Sequence, residues 1–118
     1  MFRRIASLFG RKPALVKGAG RLEEGTAKKV DFGDPIGGRG VSVVLCRVEG
    51  VMHAVDARCP HEGGRITEGP LAEGKYLQCP LHMYMFEPDT GRAVNATCRK
   101  ATVYKVRETE GGDAEVWL

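Results

Sequence analysis

Two short turns, Cys59-Pro60-His61 and Cys79-Pro80-Leu81-His82, restrict what this 118-residue chain can fold into. Each carries a thiol and an imidazole with one or two residues between them. The proline after each cysteine stiffens its loop, and Gly63-Gly64 after His61 lets the backbone fold around a bulky object. Residues 62–78 separate the turns, enough for a strand or two to leave and return. The second turn can then be brought beside the first, and the two thiols and two imidazoles together make a four-ligand site.

Two kinds of centre fit that ligand set. Zinc takes two cysteines and two histidines tetrahedrally. A 2Fe–2S cluster can take two thiolates on one iron and two imidazoles on the other. Zinc fingers pair cysteine with cysteine and histidine with histidine along the sequence, whereas here each turn is mixed. Each loop would therefore supply one ligand to each iron of a dinuclear centre, which favours the cluster over a zinc-stabilised binding module.

The rest of the chain supplies a β scaffold for the two turns. Glycine accounts for 16 residues, about twice the usual ~7%, and points to many turns and short strands. Val30 and Phe32 begin a strand pattern that Asp34-Pro35 and Gly37-Gly38 break. Val41–Val48 is a β-branched run, and Glu49-Gly50 turns it into Val51–Val55, a hairpin signature. Short strands are expected at 76–78, 84–86, 101–106 and 115–118, with Pro88-Asp89-Thr90-Gly91 as a tight turn. No helical period is sustained after residue 25, so the expected fold is all-β, a small antiparallel β-sandwich or a small barrel.

Charge divides the chain. Residues 1–29 carry eight Lys/Arg against Glu23 and Glu24, net +6, while the other 89 carry ten bases and thirteen acids, net −3. A nucleic-acid binder would place its basic stripe on the folded body, so nucleic acid is not an expected partner. Residues 1–26 read as a basic N-terminal extension and 27–118 as the domain. Phe2, Ile5, Leu8 and Phe9 share one helical face among Arg3, Arg4, Arg11 and Lys12. Contact of residues 1–12 with an anionic membrane surface is the minor reading, and a tail or a lid on a neighbouring strand the favoured one. The apolar stretch after Arg3-Arg4 is only Ile5–Phe9, below the about 7–15 residues of an export signal. No run reaches the roughly 18–20 apolar residues of a membrane span.

The segment Cys59-Pro60-His61-Glu62-Gly63-Gly64-Arg65-Ile66-Thr67-Glu68-Gly69 followed by Cys79-Pro80-Leu81-His82 resembles the paired loops of Rieske-type 2Fe–2S ferredoxins. Phe86, Glu87 and Thr90-Gly91 match what usually follows there, and the resemblance covers about residues 27–118. It implies one Rieske 2Fe–2S cluster, with Cys59 and Cys79 on the buried iron and His61 and His82 on the outer iron. It also implies a set of small antiparallel sheets with the two loops at one tip. Neither loop offers the additional cysteines that form a disulfide in Rieske subunits of respiratory complexes, so the ferredoxin branch is the better match. Met83 stands where the family usually has glycine, and a bulky residue tolerates positive φ poorly. Val94–Cys98 contains no proline where a proline-rich covering loop is typical, so looser shielding is expected.

The implied function is single-electron carriage between a reductase and a terminal oxygenase, as the ferredoxin component of a ring-hydroxylating dioxygenase-like system. The alternative is a small redox subunit of another oxidoreductase, nitrite-reductase-like. Only 36 residues follow His82, too few for an oxygenase's mononuclear iron domain, so no substrate chemistry is expected of this chain. Imidazole ligation leaves the oxidised centre neutral and raises its potential. High-potential relatives add hydroxyl hydrogen bonds at positions that hold Tyr84 and Phe86 here. The expected potential is therefore near the low end of the Rieske range, about −150 mV. Leu81 and Met83 are candidates for an apolar docking patch. His53, Cys46 and Trp117 read as structural, and Cys98 as a free thiol in a segment that approaches the cluster in the family. Unpaired thiols suit a cytoplasmic location.

Overall fold

The β-branched run around Val44 is the spine of the molecule. In the computed structural model, which describes residues 12–60, 64–81 and 83–118, it lies within β3 (Arg39–Val48), between β2 (Thr26–Asp34) and β4 (Val51–Asp56). Val43, Val44, Leu45 and Cys46 are all buried, although successive strand residues face opposite ways. Both faces of β3 are covered. Val43 and Leu45 join a core with Met52, Ala54, Ala114 and Val116. Val44 and Cys46 join a second core with Val55, Ala57, Ile66, Leu77 and Phe86. A continuous apolar run rather than strict alternation is what such a doubly covered strand needs.

Two more strands continue from β4, β8 (Val103–Glu108) and β9 (Ala114–Trp117). With β1 (Ala14–Val16) and β5 (Gly69–Pro70) they complete a sheet of order β1-β9-β8-β4-β3-β2-β5. A separate hairpin, β6 (Leu77–Cys79) and β7 (Tyr84–Phe86), covers the second core. Every pairing is antiparallel. The all-β antiparallel fold is the one expected; its division into two cores was not.

The stretch around residues 14–24 is built into this body, although it was expected as part of an extension. Ala14 and Val16 pair with Val116 and Ala114, and Ala19 is buried in the first core. The Gly18 N–H donates to the Asp113 carboxylate at 2.8 Å. Glu24 accepts from the N–H groups of Glu49 and Gly50 at 2.6 and 2.8 Å. Those two residues have φ of 52° and 79°, the pair of left-handed conformations that a tight hairpin requires. Residues 1–11, and with them the expected amphipathic helix, lie outside the described residues.

Candidate metal centre

The first loop is closed at its base by its own backbone. Ile66 donates to the Ala57 carbonyl and Cys59 to the Gly64 carbonyl, both at 2.8 Å, and Arg58 bridges Arg65. Below this ladder sits Asp56, 3% exposed. Its carboxylate accepts from the Tyr104 hydroxyl at 2.7 Å, the Arg58 N–H at 2.9 Å and the Arg58 Nε at 3.1 Å. Burial pulls the Asp56 carboxyl upward, but hydrogen bonds from Arg58 and Tyr104 outweigh it and hold the group below its ordinary value. The Tyr104 hydroxyl is pushed up to about 12 by burial and by Asp56. Sequence reasoning missed this anchor, because no spacing links Asp56 to a tyrosine 48 positions away.

The second loop is the tip of the β6–β7 hairpin, where Cys79 pairs with Tyr84. Met83 has φ 56°, the left-handed conformation that glycine would adopt freely. What steadies it comes from another segment: the Asn95 Nδ2 donates to the Met83 carbonyl at 3.1 Å, while its Oδ1 accepts from the Met85 N–H at 2.9 Å. Val94 donates to the Met85 carbonyl at 3.0 Å. The 94–98 segment thus braces the loop without proline, and Cys98 packs against the second core. Asn95 is a second residue that no local motif marks in the chain.

Three observations bring the loops together. The Thr67 N–H and Oγ1 both donate to the Gln78 carbonyl, at 3.0 and 3.2 Å, just before Cys79. A Cβ placed on Gly64 would stand 2.5 Å from the Cys79 Sγ and 3.3 Å from the Leu81 Cβ, so the first loop passes against the second cysteine with room for hydrogen alone. Cys59 and Cys79 are both buried in the second core. The other two expected ligands, His61 and His82, lie outside the described residues, as do Glu62 and Gly63. Among the described residues no group of three or more His, Cys, Asp or Glu side chains comes together.

Other expected residues separate from the site. Cys46 packs in the same core, and burial pushes its thiol up to about 12, leaving it protonated and inert at neutral pH. His53 is on β4 opposite Cys46, half-buried beside Tyr76 and Glu87 in a different groove. Phe86 is fully buried and Tyr84 packs against the core. Leu81 and Met83 are exposed, at 37% and 54%, as a docking patch requires. Trp117 ends β9 with Lys105 over its ring at 5.2 Å.

A pair of buried cysteines on adjoining loops, with a glycine where a side chain would intrude, fits a sulfide-bridged iron pair held partly by thiolates. Comparison with known proteins agrees. The family model for the Rieske [2Fe-2S] domain matches residues 13–108. The chain is 39% identical over 64 residues to the ferredoxin component of the naphthalene 1,2-dioxygenase/salicylate 5-hydroxylase systems of Ralstonia sp, covering 52% of this chain and 61% of that one. It is 34% identical over 96 residues to the 3-phenylpropionate/cinnamic acid dioxygenase ferredoxin subunit of Escherichia coli O139:H28, covering 78% and 80%. It is similar to a chain in the solved complex of reduced oxygenase and oxidised ferredoxin in carbazole 1,9a-dioxygenase, with a TM-score of 0.73, 26% identity and coverage of 88% and 91%. No helix among the described residues is long and apolar enough to cross a membrane.

Proposed function

The chain belongs to the Rieske [2Fe-2S] domain family, whose cofactor is a single Rieske 2Fe–2S cluster, and on that premise we propose that it carries single electrons between a reductase and a terminal oxygenase. Cys59 and Cys79 hold the inner iron in this reading, and His61 and His82 the outer one. When bound, the cluster supplies a one-electron couple. The chain's own residues hold the two loops together, exclude water with Val44, Ile66, Leu77 and Phe86, and leave Leu81 and Met83, the sequence neighbours of His82, exposed. The location consistent with unpaired thiols is the cytoplasm. The observation that carries the reading is the passage of Gly64 against the Cys79 sulfur, which sets the two cysteine-bearing loops side by side and supports a shared site.

A potentiometric titration followed by visible absorbance tests it. A brown-red protein with a single one-electron wave near about −150 mV is expected. A colourless zinc protein, or a two-electron wave, would overturn the electron-carrier reading. A midpoint above zero would overturn the low-potential assignment and direct attention to Tyr84.

A further inference from the structure

Beside the first loop runs a groove of about 640 Å³ lined by Asp56, Arg58, Cys59, Arg65, Arg99 and Lys100, among others. Among the described residues, four cations against one carboxylate is out of keeping with a body that carries net −3 between residues 30 and 118. The other body cations are spent elsewhere in several cases: Arg47 on Glu108, Arg92 on Glu87 and Arg107 on Glu115. In the groove, Asp56 takes Arg58. No ion pair among the described residues engages Arg65, Arg99 or Lys100, and all three are exposed. Arg58 and Arg65 also line the adjoining groove, so they form a basic ridge between the two. On the far side of that ridge stands Ile36, fully exposed.

We propose that this basic groove and ridge beside Cys59 form the docking face for an acidic surface of a redox partner protein. The inference rests on the electron-carrier reading and adds the sign and place of the contact. Cations concentrated beside an electron-exchange site steer an anionic partner and fix its orientation. The apolar Ile36 favours a protein face over a small anion, because inorganic phosphate gains nothing from an isoleucine.

The test uses the full chain with its cluster and two double variants of equal net charge, R99E/K100E in the groove and K12E/K17E on the β1 edge. One electron passes from the reduced protein to hexacyanoferrate(III), which becomes hexacyanoferrate(II), and stopped-flow absorbance reads the rate. At about 0.1 M ionic strength the screening length is about 10 Å, so the anion senses local charge rather than net charge. R99E/K100E should slow the reaction about tenfold and K12E/K17E less than about twofold, and the difference should vanish near about 1 M salt. Equal slowing by both variants would overturn the proposal. Calorimetric binding of poly-glutamate, which needs no cluster, should weaken in R99E/K100E and persist in K12E/K17E. Competition by inorganic phosphate as strong as that by poly-glutamate, at matched ionic strength, would mean a small-anion site and overturn the docking face. Absence of a cluster would sink the electron-carrier reading, while the calorimetry would still decide the docking face.

Discussion

The two loops that carry the cysteines Cys59 and Cys79 are held in different ways. The first is closed by its own backbone ladder, from Ala57–Ile66 to Cys59–Gly64, over a buried carboxylate. The second is a short hairpin tip whose exit, Met83, sits in a conformation costly for a side chain and is bridged by Asn95 from a distant segment. A self-closed loop should be sensitive to changes within it. A braced loop should be sensitive to its brace, and should lose that sensitivity when the strain it relieves is removed.

Gly64→Ala is the most severe break. Its Cβ would fall 2.5 Å from the Cys79 Sγ, and relieving such overpacking costs about 1–3 kcal/mol by separating the loops. Iron content and visible absorbance per chain should drop by most of their value while far-UV circular dichroism stays β-like. Full iron loading in this variant would show that the loops do not approach as described.

Next is Asn95→Ala, which removes two hydrogen bonds at about 0.5–1.5 kcal/mol each and leaves Met83 unsupported. Denaturant unfolding should report the loss, and cluster release to a chelator should quicken. Adding Met83→Gly should recover part of it. A cost of Asn95→Ala that is the same with and without Met83→Gly would argue against the brace.

The Asp56 anchor separates the loops by pH. Its carboxyl lies below its ordinary value in the folded protein, so its stabilisation is present above the unfolded value and fades as pH falls through the folded one. Because the Arg58 side chain is 71% exposed, solvent screens the pair and the effect is smaller than the two above. Unfolding free energy measured from pH 6 to pH 2 should show a decline that Asp56→Asn flattens. An unchanged acid limb in that variant would place the titrating group elsewhere.

Met83→Gly alone should have the smallest effect, a gain of about 0.5–1 kcal/mol at most. Glycine relieves the left-handed φ while enlarging the freedom of the unfolded chain, and the Met83 side chain is more than half exposed.

How much of this was legible beforehand follows from the range over which each signal acts. The β3–β4 hairpin was readable because its cues are local: a β-branched run, then Glu49-Gly50. The two Cys/His turns were readable for the same reason, each being a few residues long, and their meeting is supported by Gly64 and Thr67. Asn95, Asp56 and Tyr104 act across 10 to 48 positions, and nothing near them in the chain marks them. β1 was missed because three residues, Ala14–Val16, carry too little alternation to read against a basic, glycine-broken background. The groove cations were hidden by averaging, since a body of net −3 conceals four that the fold gathers at Cys59.

The central claim is that both loops ligate one iron pair, each with a thiolate and an imidazole. Electron–nuclear double resonance on the dithionite-reduced protein at low temperature tests this directly. Coupling of the unpaired electron to two imidazole nitrogens, with one lost in His82→Cys or His61→Cys, is the predicted result. An iron–sulfur signal with no nitrogen coupling, or zinc in place of iron, would contradict it.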